Sequence, residues 1–319
     1  MQDPQPRRMQ RMHQSTRRQT LHAPGALRLD LPNAHNSWVL RFALAPDGQM
    51  LATCSHDNTA RIWRIQDDRD GLSLDLLHHF DQHSDSVYDV AFSPDGCLLA
   101  TAGYDGQVGL FDLDTGDGQL SPAAESGKIA AVEFTPNGNS PITAHYEERR
   151  LRYWQYDGLQ LTNGRTIAQL SNLPLWASLS PNGRRVAVVG RQHIVTLHDL
   201  DPTADDIDTA AEPRQLIDHE QSVFRAIFDP DGRQLATVGG DMTVRIWDLG
   251  PDDASATTAG QALFTLRLPT QRDHGVPLWD FDFRCDRDQA GCWIAVPLTM
   301  GRIALYRLSY AQPPVDLRP

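Results

Sequence analysis

The sequence predicts an all-β protein made of repeats of one supersecondary unit, a solenoid or a propeller, and two observations carry that prediction. First, three stretches of the 319-residue chain obey one spacing rule: a His, a Thr eighteen residues later, an Asp four beyond it and an aromatic six beyond the Asp. They are His35/Thr53/Asp57/Trp63, His83/Thr101/Asp105/Phe111 and His219/Thr237/Asp241/Trp247. Second, each holds a Pro-Asp-Gly at the same offset, at Pro46-Asp47-Gly48, Pro94-Asp95-Gly96 and Pro230-Asp231-Gly232, so five positions fix the register together.

Between these turns the repeat reads as strands. In the second copy they are Ser86 to Phe92, Cys97 to Thr101 and Gln107 to Leu113, rich in β-branched and aromatic residues and bounded by Gly, Asp and Pro. Proline presets φ at the second position of the turn, and Asp and Gly tolerate the conformations that reverse the chain.

The phrases "VYDVAFSPDGCLLATAGYDGQVGLFDL" (Val87 to Leu113) and "VFRAIFDPDGRQLATVGGDMTVRIWDL" (Val223 to Leu249) resemble the WD-repeat (WD40) family of β-propellers. The same ruler finds weaker copies. One runs from Ile129 to Tyr156, with Pro136-Asn137-Gly138, Thr143, Glu147 and a Trp154 one place late. Another spans Leu175 to Leu200, where Pro181-Asn182-Gly183 is kept, His198 fills the aromatic slot, and the Thr and Asp are missing. A sixth, His274 to Leu308, has Tyr306 in the Trp slot.

The resemblance implies four strands per blade, a to d from the inside out, with the outer strand preceding the His. Strand d of the first five blades then falls at 72–80, 118–121, 165–170, 213–217 and 261–268. The alternating segment Ala26 to Leu31 serves as the outer strand of the last blade, so that the N-terminal strand closes a single propeller of six four-stranded blades. Closure removes open strand edges that would recruit another chain. An incomplete seven-bladed ring is the alternative. The domain division is a disordered basic tail at 1–24, the propeller at 25–310 and a short tail at 311–319.

Within a well-kept repeat the resemblance makes the His, Thr, Asp and Trp a structural hydrogen-bond relay: His35, Thr53, Asp57 and Trp63; His83, Thr101 and Asp105; His219, Thr237, Asp241 and Trp247. Each bond adds about 1 kcal/mol net. Blades three, four and six lack full relays and are expected to be softer or held by packing.

Composition narrows the function. The net charge is −12, and removing the tail's five Arg and one Asp leaves about −16, which repels phosphate. No apolar run reaches the roughly eighteen residues of a membrane span, and the basic start lacks the apolar stretch of a secretory leader, so a cytoplasmic location is expected. Basic residues are 28 Arg against the single Lys128, which suggests a GC-rich, bacterial source. Of four cysteines only Cys285 and Cys292 are near one another, and two ligands make no zinc site; no metal or cofactor is expected. "DLDTGDG" at Asp112 to Gly118 lacks the spacing of a calcium loop and reads better as a turn.

Family geometry places the charged c–d loops on the bottom face, which should be acidic, and the tail of residues 1–24 beside them. That tail is expected to contact a partner, the acidic rim or nucleic acid. The top face is where strand a enters. Five residues after each His, or its equivalent, stand Leu40, Tyr88, Ala130, Leu175, Phe224 and Trp279; the next position holds Arg41, Asp89, Ala131, Trp176, Arg225 and Asp280. Aromatics beside arginines make interface hot spots, so Tyr88, Phe224, Trp279, Trp176, Arg41, Arg225, Asp89 and Asp280 are the binding candidates. No Gly-x-Ser-x-Gly, His-Glu-x-x-His or phosphate-cradling loop is present. The expectation is a non-catalytic interaction scaffold or sensor subunit, a monomeric ring within a hetero-complex that binds one or more proteins or peptides. The alternatives are a propeller enzyme with carboxylates or histidines gathered at the channel mouth, or a nucleic-acid-associated factor using the tail.

Overall fold

The computed structural model describes residues 34–68, 71–122, 127–200, 213–249, 262–267, 282–285, 292–298 and 302–308. Among them are strands and no helix. Sheet one is β1 (Val39–Leu44), β2 (Met50–Ser55), β3 (Ala60–Asp68) and β4 (Gly71–Phe80); sheet two is β5 (Val87–Phe92), β6 (Leu98–Gly103), β7 (Val108–Asp112) and β8 (Gly118–Leu120). Sheet three is β9 (Ile129–Phe134), β10 (Pro141–His145), β11 (Arg150–Asp157) and β12 (Gln160–Gln169); sheet four is β13 (Pro174–Leu179), β14 (Arg185–Gly190), β15 (Ile194–Asp199) and β16 (Arg214–Ile217). Sheet five is β17 (Val223–Phe228), β18 (Gln234–Gly239), β19 (Thr243–Asp248) and β20 (Phe264–Arg267). The last holds three described strands, β21 (Asp282–Cys285), β22 (Cys292–Leu298) and β23 (Arg302–Leu308). Every sheet is an antiparallel meander in chain order, consistent with a β-propeller.

The turn chemistry explains the first reversal in each sheet. Gly48, Gly96, Gly138, Gly183 and Gly232 all hold φ between 68 and 75°, a region open to glycine at no steric cost. The amide of each glycine donates to the carbonyl three residues back, from Gly48 to Ala45 at 2.9 Å through to Gly232 to Asp229 at 3.0 Å. These turns also stack. A Cβ on Gly138 would stand 3.5 Å from Pro94 of sheet two, one on Gly183 3.1 Å from Pro136, and one on Gly232 3.4 Å from Pro181. The same turn therefore packs on the same turn of the preceding sheet.

The core lies between sheets. Ala52, Cys54 and Ile62 of sheet one pack with Val87, Val90 and Leu99 of sheet two, and like clusters join sheets two and three, three and four, and four and five. A repeat of this kind buries its faces only against neighbours. The first strands touch in succession, β1 on β5, β5 on β9, β9 on β13, β13 on β17 and β17 on β21, and form the inner lining.

Sheets one and five differ in what their first strands expose. Val39, Phe42 and Leu44 are 47%, 56% and 60% exposed, whereas the corresponding Val223, Ala226 and Phe228 of sheet five are 0%, 0% and 7% exposed.

Four of the expected outer strands lie where the spacing puts them, and the third is longer. β12 begins at Gln160 because β11 and β12 are joined by the tight turn Gly158-Leu159, with Gly158 at φ 57°, leaving no loop. The segment Ala26 to Leu31 lies outside the described residues, as do both tails. Asp112, in the would-be calcium loop, caps its own turn: its Oδ1 accepts from the amides of Asp114 (2.9 Å) and Thr115 (2.8 Å). Cys285 and Cys292 are ladder partners across β21 and β22.

Candidate binding site on the inner strands

Two groups of polar residues sit on this frame, and they do different work. The first is the relay. In sheet five, Thr237 Oγ1 accepts from Trp247 Nε1 (2.8 Å) and lies 2.7 Å from His219 Nε2, so its one proton goes to Nε2. That leaves the ring proton on His219 Nδ1, which donates to Asp241 (3.0 Å). Asp241 also accepts from the amides of Glu220 (2.9 Å) and Thr243 (3.1 Å) and from the Thr243 hydroxyl (2.7 Å). Sheet one repeats the pattern through His35, Thr53, Asp57 and Trp63, and sheet two through His83, Thr101 and Asp105, where Phe111 has no donor to offer.

Burial would raise the Asp57 carboxyl, but hydrogen bonds from Thr59, the Asn36 amide and His35 overcome it and hold the group at about 2. Asp241 is depressed in the same way. In sheets one and five each relay is thus tied together internally.

Sheet three solves the problem differently, and the sequence ruler misses it. His145 takes the slot that is Gly103 in sheet two and Gly239 in sheet five. In sheet five a Cβ on Gly239 would stand 2.7 Å from His219 Nδ1, so one histidine ring and one glycine share that space. In sheet three the histidine stands in the glycine's slot. His145 Nε2 bonds Thr143 Oγ1 (2.9 Å), which accepts from Trp154 Nε1 (2.8 Å). The extra residue before Trp154 is absorbed in the turn Tyr146 to Arg149, where Arg149 takes φ 51°. Burial, with Arg152 and Arg150 nearby, holds His145 at about 3 and therefore neutral. In sheet four His198 fills the Trp slot and bonds Thr196 at 3.1 Å.

The second group lines the inner strands. A β-bulge falls at the same place in all five first strands, skipping Leu40, Tyr88, Ala130, Leu175 and Phe224, and the next residue re-enters the ladder: Arg41 on Cys54, Asp89 on Ala102, Ala131 on Ala144, Trp176 on Val189 and Arg225 on Val238. Bulges re-aim side chains. Here the re-aimed set converges. The Arg41 guanidinium lies 5.3 Å from the Trp176 ring and 5.7 Å from the Tyr88 ring; that of Arg225 lies 4.7 Å from Trp176. Tyr88 stacks on Tyr104 at 4.6 Å, and the Lys128 ammonium caps Tyr104 at 4.6 Å. Arg191 lies 5.8 Å from the Tyr146 ring. Cations and rings attract in this arrangement.

Arg41, Tyr88, Trp176 and Arg225 are thus brought together. Asp89 lies among them but only 1% exposed: its Oδ1 accepts from the Val90 amide (2.9 Å) and its Oδ2 from the Val132 amide of sheet three (2.9 Å). Its place in the repeat gives no hint of this stitching. Glu133 repeats it one sheet on, accepting from the Leu179 amide of sheet four at 2.7 Å. Burial pushes Asp89 up to about 7 against the pull of Arg41, the two amides and Arg225, and pushes Glu133 up to about 8 against the Leu179 amide. Glu133 escaped the sequence reading, although a lone carboxylate inside the apolar run Ile129 to Phe134 was its signal. Phe224 occupies the bulge of β17, partly buried. Trp279 and Asp280 lie outside the described residues. Among the described residues no group of three or more His, Cys, Asp or Glu is arranged to hold a metal ion.

The fold is therefore all-β, with repeated four-stranded antiparallel sheets consistent with a β-propeller. The WD domain, G-beta repeat model of the WD40 family matches residues 28–64, 74–112 and 212–248, about a third of the chain. The three matches end on sheets one, two and five, the three that carry the relay. Sheets three and four have the same strands, turn and bulge without a match. No curated protein matches the chain.

Proposed function

We propose that the chain is a WD-repeat propeller of six blades, closed by Ala26 to Leu31, that acts as a non-catalytic scaffold or sensor subunit and binds partner proteins on the face where the inner strands begin. The observation that carries this reading is the convergence of Arg41, Tyr88, Trp176 and Arg225 at the bulge positions of four sheets. WD40 repeats generally mediate protein–protein interaction, and a preorganised surface rich in Trp, Tyr and Arg binds with little ordering cost. The uncovered Val39, Phe42 and Leu44 support closure by a last blade. An enzyme would gather carboxylates or histidines with free atoms at this mouth. Instead both Asp89 oxygens are engaged by amides, Glu133 bonds a third, and the relay histidines are saturated, which favours the scaffold.

The test is affinity purification with the full-length chain beside a variant carrying Tyr88→Ala, Phe224→Ala and Trp279→Ala. The reading predicts a stable protein partner for the first and its loss, by about a hundredfold in affinity, from the second. Equal recovery on both, with the variant folded by circular dichroism, would refute it.

A further inference from the structure

Arg41 is an arginine in an unusual position. It is 7% exposed, its Nη1 donates to its own neighbour Leu40 O at 3.2 Å, and its Nε is buried without a hydrogen-bond partner. Among the described residues it forms no ion pair. A guanidinium has five donors, and leaving them unmet in a protected site costs free energy. Beside it the Trp176 indole Nε1 is likewise buried without a partner. The two unmet donors belong to side chains in contact, since the Arg41 guanidinium lies 5.3 Å from the Trp176 ring. The nearby carboxylates do not serve them, because Asp89 and Glu133 are turned to backbone amides of the following sheets.

The surroundings have the same polarity. In a chain of net charge −12, Arg41, Lys128, Arg191 and Arg225 alternate here with Tyr88, Tyr104, Tyr146 and Trp176, and Lys128 is the only lysine. The unmet Arg41 Nε and Trp176 Nε1 call for an anion, and a planar carboxylate accepts from a guanidinium and an indole together.

We propose that the seat between Arg41 and Trp176 receives the side-chain carboxylate of an Asp or Glu on the bound protein, making an acidic residue flanked by apolar ones the anchor of the partner. This deepens the scaffold reading and rests on it.

A library of random twelve-residue peptides displayed on phage, selected on the immobilised full-length chain, tests it. Selected peptides are synthesised and their affinities measured for the wild type, Tyr88→Ala and Arg41→Gln. The expected result is that peptides lost with Tyr88→Ala carry an Asp or Glu whose change to Asn or Gln weakens binding at least tenfold, and that Arg41→Gln brings no further loss for the amide peptide. The change on the peptide keeps the test valid even if Arg41→Gln fails to fold. Peptides that need Tyr88 yet bind equally well as amides would overturn the acidic anchor and leave the scaffold reading standing. Acid dependence that emerges only after Asp280→Asn would also overturn it, since the chain's own Asp280 would then fill the seat. A selection with no peptide sensitive to Tyr88→Ala would sink both.

Discussion

Gly239→His is expected to destabilise the protein by about 4 kcal/mol, and adding His219→Gly to recover at least half of that loss. The single change forces a side chain into space already taken, because a Cβ at position 239 stands 2.7 Å from His219 Nδ1 and 3.0 Å from Asp241 Oδ1. Overpacking of about this severity costs 1–3 kcal/mol, and the displaced His219 leaves the Thr237 hydroxyl and Asp241 without their partner at a further 1–3 kcal/mol. The double variant instead empties that space and sets a histidine where sheet three has His145, whose Nε2 reaches Thr143 while the Thr–Trp bond holds at 2.8 Å. Urea unfolding of the four proteins in the cycle gives the coupling. Simple additivity of the two losses would show that a histidine in the glycine slot does not substitute for the usual one.

Asp89→Ala is expected to cost about 3–5 kcal/mol, the range for breaking one side of a buried charge cluster. It leaves the Val132 amide without an acceptor across the seam between sheets two and three, and removes the carboxyl that faces Arg41 and Arg225. The same residue sets a pH dependence whose sign is fixed. Burial raises the Asp89 carboxyl to about 7 and the Glu133 carboxyl to about 8, with Asp89 adding to the latter and Arg225 opposing it. The folded state therefore keeps protons that the unfolded chain releases near pH 4, and their stabilisation is full below that pH and lost as pH rises through 7 to 8. The relay carboxylates act oppositely: Asp57, held at about 2, stabilises above pH 4 and loses that contribution as pH falls to 2. Thermal unfolding should thus peak between about pH 4 and 5 and decline toward 8, with a shallower decline in Asp89→Ala. A wild-type midpoint rising steadily from pH 5 to 8 would contradict this.

The repeat was legible because its signals are local. Pro-Asp-Gly and Pro-Asn-Gly turns report a φ that only glycine adopts freely, and the His-to-Trp spacing reports a ladder register, so five sheets follow from spacing alone. Even Trp176 falls at the place counted for it, opposite Val189. What stayed hidden depends on neighbours far along the chain. Asp89 looked like a surface contact because its acceptor role belongs to Val132, 43 residues on. His145 looked like no part of a relay because it stands in a slot that sheets two and five give to glycine, two residues after the Thr143 it bonds. The Tyr88–Tyr104–Lys128 stack joins strand β5 and the turn after β6 to the segment before β9, which belongs to the next repeat.

The central proposal is a closed ring of six blades, in which the last blade covers the exposed Val39, Phe42 and Leu44 of sheet one. Replacing Leu29 by photoreactive p-benzoylphenylalanine, irradiating the full-length chain and mapping the cross-links by mass spectrometry tests it most directly. The account predicts intramolecular links to Arg302–Leu308, the neighbouring strand of the last blade. Links from position 29 to any other sheet, or to a second molecule, would contradict it.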